Sequence, residues 1–241
     1  MSPAVRVAAL ELPVSWGDVD GALDRVDALL SAAPFDLALL PEASLTGYVS
    51  PRGVFDPTPM AEPRDGPTHR RLAELARAHR GFVAAPIIER AGAHVFNAFC
   101  VVAPSGETVA WYRKRHPWIP ETWATPGDLP YPRFEACGLT WTLAVCYDVH
   151  FVAREASDVL ASVDVLLFPS AWVEEGDDTR PPILGDLARR FGITAVNANW
   201  AAGVVRAPGQ GRSRVVYPGR EGVVALKPGR LDVEVARKIV R

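Results

Sequence analysis

Two hydrophobic periods alternate along the chain. Residues 5–10 form a near-continuous apolar run of strand length, and residues 36–40, ended by Pro41, form a second. Between them Asp18 suits an N-cap, and Val19, Ala22, Leu23, Val26, Leu29 and Leu30 follow at the spacing of one helix face. A second helix is predicted over about 67–79, carrying Leu72 and Leu75 and stopping at Gly81. Residues 82–88 and 95–103 read as strands. Pro104-Ser105-Gly106-Glu107 is then a tight turn into a strand over 108–112, which makes a hairpin.

The second half repeats the style. Residues 139–145 are a predicted strand leading to Cys146, and residues 151–162 are predicted helical. A strand over 163–168 ends at Pro169, a helix covers 182–191, and a strand covers 193–196. Residues 213–217 and 222–226, joined by a Pro-Gly turn, close the pattern as a hairpin. There is no internal repeat, low-complexity tract or linker. Alternating strands and helices with inserted hairpins imply one α/β domain over 1–241 with mixed pairing. About twelve short strands fit two sheets better than one.

Composition narrows the class. Of 241 residues, 49% are hydrophobic and 22% charged, which excludes a disordered or fibrous chain. The 26 basic and 28 acidic residues give a formal charge of −2, so nothing in the electrostatics calls for nucleic acid or an anionic membrane. Nineteen glycines and 22 prolines suit a chain cut by many turns. The N-terminus shows no export signal and no apolar run is long enough to span a bilayer, so the expected compartment is the cytoplasm. The three cysteines are too few, and odd in number, for a disulfide framework. One reactive thiol among two packing ones is the expectation to test.

Candidate chemistry sits where predicted strands end. One strand runs into Glu42, one into Lys114 and one into Cys146. A thiol is mostly protonated at neutral pH and needs a base or a positive neighbour. A carboxylate in an apolar pocket can take that proton, and an ammonium can stabilise the oxyanion formed when sulfur attacks a carbonyl. Each residue taken alone has a plainer reading. A strand-end cysteine is usually core, a glutamate after proline is often a cap, and Lys114 lies in a basic run from Arg113 to His116 that is normally solvated.

The local strings decide between these readings. Pro41-Glu42-Ala43-Ser44-Leu45-Thr46-Gly47-Tyr48, Tyr112-Arg113-Lys114-Arg115-His116 and Val145-Cys146-Tyr147-Asp148 stand in the order and rough separation of the nitrilase, or carbon–nitrogen hydrolase, superfamily, which they resemble. Phe96-Asn97-Ala98, Pro104-Ser105-Gly106, Pro169-Ser170-Ala171-Trp172, Asn197-Ala198-Asn199 and Gly209-Gln210-Gly211-Arg212-Ser213 resemble further segments of it. The resemblance covers the chain from Val5 to about Leu226.

That resemblance implies a four-layer αββα sandwich with two mixed β-sheets, usually paired into a homodimer or higher homo-oligomer. It implies Glu42 as general base, Lys114 as oxyanion stabiliser and Cys146 as nucleophile, with Glu121 as a second carboxylate that positions the lysine and substrate. It implies hydrolysis of a non-peptide C–N bond in a small linear amide through a thioester, with no metal or organic cofactor. His116 is read as structural, and Cys100 and Cys137 as packing residues. Tyr48, Trp118, Trp123, Tyr147 and Trp172 are the expected substrate-binding residues. An acidic run of Glu174, Glu175, Asp177 and Asp178 could favour a substrate with a remote amine. The chain departs from the family pattern at His150, Val152 and Ala153 after the cysteine, at Pro117 after the lysine motif and at residues 187–192. Substrate choice is therefore open: a nitrilase or an N-carbamoyl hydrolase are alternatives, and a soluble acyltransferase or a non-catalytic binding subunit belong to other classes.

Overall fold

The computed structural model describes residues 4–13, 15–173, 178–203 and 211–238. In the first half, β1 (Val5–Glu11), α1 (Val19–Ser31), β2 (Leu37–Leu39), α2 (Pro67–His79), β3 (Phe82–Ala91), β4 (His94–Val102) and β5 (Thr108–Arg113) follow in order. The second half contains β6 (Phe134–Ala136), β7 (Leu139–Leu143), α3 (Val152–Glu155), α4 (Ser157–Ser162), β8 (Val165–Ser170), α5 (Arg180–Phe191), β9 (Thr194–Asn199), β10 (Arg214–Tyr217), β11 (Arg220–Val224) and β12 (Gly229–Val235).

The strands make two six-stranded sheets, in the orders β12-β1-β2-β3-β4-β5 and β11-β10-β9-β8-β7-β6. Each has a parallel centre, β1-β2-β3 in one and β7-β8-β9 in the other, flanked by antiparallel strands. Alternation along the first sheet assigns its two faces. Val7, Ala9, Leu37, Leu39, Phe99, Val101 and Tyr112 pack in one core with Trp141, Leu143, Val165 and Leu167 of the second sheet. Ala8, Leu10, Ala38, Leu40, Val83 and Cys100 pack on the opposite side with Leu23, Val26 and Leu30 of α1 and Leu72 and Ala76 of α2. Leu160 of α4 and Leu184 and Leu187 of α5 join the core on the far side of the second sheet. The result is the αββα sandwich.

Several boundaries differ from the sequence reading. Residues 151–162 form two short helices rather than one, after a 3-10 turn over Cys146–His150. The closing hairpin lies at Arg214–Tyr217 and Arg220–Val224. Two strands were not anticipated. β6 is only three residues long. β12 alternates Leu231, Val233 and Val235 with Asp232 and Glu234 and runs antiparallel to β1 along its whole length. Arg230 reaches from β12 to the carbonyls of Leu29 and Ala33, which satisfies the C-terminal end of α1.

Candidate active site

Glu42 follows β2, Lys114 follows β5 and Cys146 opens the turn after β7, so three strand ends of two sheets meet. The Lys114 ammonium lies between two carboxylates, 2.6 Å from Glu42 Oε1 and 2.9 Å from Glu121 Oε1. All three side chains are fully buried. A charge without water needs partners on every side, and these have them. Asn97 Nδ2 donates to Glu42 Oε1 at 2.8 Å and to Glu121 Oε1 at 3.2 Å. The Ala171 N–H donates to Glu42 Oε2 at 3.0 Å, and the Trp118 N–H to Glu121 Oε2 at 3.0 Å. Ala171 follows β8, so Glu42 is held by both sheets at once.

Backbone geometry fixes the same groups. Gly127 N–H donates to the Lys114 carbonyl at 2.8 Å, and a Cβ at Gly127 would stand 2.0 Å from the Arg113 carbonyl oxygen. Only glycine lets that loop close over the strand end. Cys146 has φ +47°, in the left-handed region that a side chain disfavours. The turn it opens is pinned by buried Asp148, which accepts from Tyr112, His116 and Val145.

The electrostatics follow from burial and proximity. Burial pushes the Cys146 thiol well above its usual pKa and the charge of Glu42 adds to this, while Lys114 opposes it. The resting thiol is therefore protonated. Burial alone would lower Lys114, but Glu42 and Glu121 outweigh it and hold the ammonium above its ordinary pKa. Burial pushes Glu121 up to about 7 against the pull of Lys114, with Glu42 adding to the rise. Tyr48 is raised by burial and by the Glu121 and Glu42 carboxylates, and its buried hydroxyl makes no well-formed hydrogen bond among the described residues.

A cavity of about 210 Å³ opens beside Cys146. Trp118, Tyr147, His150, Ala171, Trp172 and Thr179 line it. Of the five expected substrate-binding residues, Trp118, Tyr147 and Trp172 are in this wall. Tyr48 lies among Phe55 and Trp200, facing the carboxylates, and Trp123 is half-buried outside the lining. Cys100 is buried inside β4, where its thiol is pushed up to about 12, and Cys137 sits in the β6–β7 turn, pushed up to about 11, both by burial. His116 stacks on Phe151 and pairs with Glu155. Glu174, Glu175 and Asp177 lie outside the described residues. Asp178 is bound to Arg180 and Arg214, so it is committed to the protein rather than offered to a ligand. Among the described residues no group of three or more His, Cys, Asp and Glu side chains is arranged to hold a metal ion.

Sequence reasoning assigned no task to Asn97, Asp148 or Ala171. Each stood within a quoted motif, but a backbone N–H or a bridging amide gains its meaning only where distant segments meet.

The carbon–nitrogen hydrolase signature matches residues 6–216. A protein named "Hydrolase in pqqF 5'region" from Pseudomonas protegens is 29% identical over 69% of this chain and 59% of its own length. A formamidase from Pseudomonas syringae pv. tomato is 33% identical over 68% of this chain and 50% of its own. The chain thus spans between half and three-fifths of these relatives. Among solved structures, a cysteine-to-alanine mutant of the Nesterenkonia AN1 amidase from the nitrilase superfamily superposes with TM-score 0.80 at 25% identity, covering 97% of this chain and 91% of that one. XC1258 from Xanthomonas campestris, described as a CN-hydrolase superfamily protein with an arsenic adduct in the active site, shares the fold at TM-score 0.79 and 21% identity, with the same coverage. The matched signature, the two-sheet sandwich and the convergence of Glu42, Lys114 and Cys146 agree: the chain belongs to the carbon–nitrogen hydrolase family.

Proposed function

We propose that the protein hydrolyses a small linear amide to a carboxylic acid and ammonia or an amine. The observation that carries this reading is the buried Lys114 ammonium clamped between Glu42 and Glu121 at a cavity whose wall holds Cys146. Because the resting thiol is protonated, attack needs a base in place, and Glu42 is the carboxylate whose charge bears on it most. Glu42 takes the thiol proton as sulfur bonds to the amide carbon. Two of the Lys114 protons go to carboxylates, which leaves one for the oxyanion that develops on the substrate oxygen. The tetrahedral species collapses with C–N cleavage, and the leaving amine takes the proton back from Glu42. Water then attacks the thioester, its proton passes to Glu42, and the acid departs as the thiol is re-formed. Glu121 holds Lys114 in line throughout.

The cavity of about 210 Å³ with walls of Trp118, Tyr147 and Trp172 suits a short acyl group rather than a peptide. The formamidase and amidase relatives act on amides by name, in keeping with this. The reading includes a homodimer or higher homo-oligomer, as the family resemblance implies, and a cytoplasmic location; no helix among the described residues is long and apolar enough to cross a membrane. Light scattering of the purified protein reads the assembly.

The deciding experiment offers amides, nitriles and N-carbamoyl compounds and scores ammonia release. Turnover of short amides is expected, with loss of about a thousandfold or more in Cys146→Ala. Peptide-mapping mass spectrometry of the protein quenched with substrate should find the acyl adduct on Cys146 and on neither Cys100 nor Cys137. Turnover that survives Cys146→Ala defeats the mechanism. Preference for nitriles or N-carbamoyl compounds, or hydroxamate formation outrunning hydrolysis when hydroxylamine is added, would reassign the substrate or the acceptor.

A further inference from the structure

Asn97 lies in β4, one residue from the Ala98–Arg113 register pair. It is 1% exposed, and its carbonyl accepts the Lys114 N–H at 2.8 Å. Its neighbours Phe96, Ala98 and Phe99 are apolar, so packing alone gives no reason for an amide here. The Asn97 amide nitrogen faces two carboxylates, donating to Glu42 Oε1 and to Glu121 Oε1. Lys114 Nζ donates to the same two oxygens. Four atoms therefore close a ring in which two donors alternate with two acceptors.

The other end of the amide bears a cost. Asn97 Oδ1 is buried and has no partner among the described residues. Turning the amide over would press Oδ1 against two carboxylate oxygens. The carboxylates dictate the orientation, and the orphaned carbonyl is its consequence. The ring also addresses a charge imbalance: two carboxylates face one ammonium in a dry site. Cys146 and Tyr48 are the other titratable groups that bear on these carboxylates, and Asp148 lies beyond them, close enough to feel Lys114. Each of these three is neutral or negative, so none can offset a carboxylate charge. Neutral donors must supply the remaining stabilisation. The Ala171 and Trp118 N–H groups each reach one carboxylate, whereas Asn97 reaches both.

We propose that Asn97 is a positioning residue whose two amide protons hold Glu42 and Glu121 in one arrangement around Lys114, so that Glu42 meets the substrate as a competent base. The inference rests on the reading of Glu42 as the base for Cys146. Hydrogen bonds to a charged form favour that form, so losing them raises the carboxylate pKa and moves the acid limb of any Glu42-dependent step to higher pH.

Two readouts on purified Asn97→Leu and Asn97→Ser proteins test this. Asn97→Leu keeps much of the volume and removes the amide donors without adding a charge; Asn97→Ser removes them with a smaller side chain whose hydroxyl stops short of the place of Nδ2. In the pH profile of kcat/KM for ammonia release, the acid limb of Asn97→Leu is expected to rise by about one unit, with kcat down about tenfold and KM little changed. Asn97→Ser should move the limb in the same direction. The second readout is the pH dependence of Cys146 alkylation by iodoacetamide, which needs no substrate and should show the same displacement. A wild type that turns over no amide defeats the hydrolase reading, yet the alkylation profile still reports on Asn97. An acid limb that stays in place in both readouts, in variants with native circular dichroism, overturns the proposal. If Asn97→Leu does not fold, Asn97→Ser decides: a displaced acid limb supports the proposal and an unmoved one overturns it.

Discussion

Asp148 Oδ1 accepts the backbone N–H of His116 at 2.9 Å and thereby ties the turn that begins at Cys146 to the segment that follows Lys114. Its Oδ2 accepts the Tyr112 hydroxyl at 2.8 Å and the Val145 N–H at 3.3 Å. One buried carboxylate so fixes the backbone beside both Lys114 and Cys146. Burial pushes its pKa up to about 6, against the charge of Lys114 and these hydrogen bonds. Asp148→Asn would bring an NH2 group to a point where three donors converge and leave at least one of them unpaired. Thermal denaturation should show a loss of about 2 kcal/mol, and turnover should fall because the thiol and the ammonium lose their common anchor. An unchanged Tm would mean that the two segments hold their places without it.

Cys146 should be more tolerant of glycine than of alanine. At φ +47° any Cβ is strained, and glycine is free of that strain. Elsewhere in a fold the usual preference runs the other way, because glycine loses more chain entropy. Urea denaturation of Cys146→Gly and Cys146→Ala isolates the effect, since both lack the sulfur. The glycine variant is expected to be more stable by about 1 kcal/mol. The opposite order would show that the surrounding turn relaxes once the thiol is gone.

What the sequence disclosed and what it hid have physical causes. Glu42, Lys114 and Cys146 each follow a strand, but it is the likeness of the short strings around them to the family's that singles them out, and such strings are legible without the sheets. β12 carries a legible period, with Leu231, Val233 and Val235 alternating with charged neighbours, but it lies beyond Leu226, where the family likeness ends. β6 is too short, between prolines and a glycine turn, to show any period. Contacts made across the fold left no local mark. Ser213 N–H donates to Glu11 across 202 positions, and Ala171 N–H to Glu42 across 129.

Glu121 gives a pH dependence with a definite sign. Its pKa in the fold, about 7, stands above the ordinary carboxylate value of 4.5, chiefly through burial. A raised acid pKa means the folded state binds the proton more tightly than the unfolded one. The stability this contributes is fully present below pH 4.5 and is lost as pH rises through about 7. Glu121→Gln removes the titration along with the Lys114 contact. The variant should be less stable than wild type at low pH, and the gap should narrow between pH 4.5 and 7. Denaturation midpoints at several pH values check this. A gap that widens with pH would show that ionised Glu121 is favoured in the fold, with Lys114 outweighing burial.

The wall of the cavity depends on a second ionic cluster away from the chemistry. Arg180, fully buried at the start of α5, donates to Asp178 at 2.8 Å, to Asn197 Oδ1 at 3.2 Å and to the Gly211 carbonyl at 3.2 Å. Arg214 from β10 also binds Asp178. Thr179, between Asp178 and Arg180, lines the cavity, while Asn199 accepts the Trp172 N–H at 2.8 Å. Asn199 also donates to the Gly211 carbonyl at 3.0 Å, so the cluster bears on one side of the pocket, and none of these hydrogen bonds reaches Cys146 or Lys114. Arg180→Met keeps much of the volume but takes the arginine donors from Asn197 and Gly211 and leaves Asp178 to Arg214, a loss of about 3 kcal/mol or more. Because Glu42, Lys114 and Cys146 keep their own supports, the expected kinetic signature, on the proposed mechanism, is a rise in KM of about tenfold with kcat changed far less. Asp178→Asn should act in the same direction more mildly, since one oxygen remains to accept from the arginines. Steady-state kinetics on a short amide, with Tm measured alongside, decide the matter: a collapse of kcat at unchanged KM would mean that the cluster supports the catalytic groups rather than the wall.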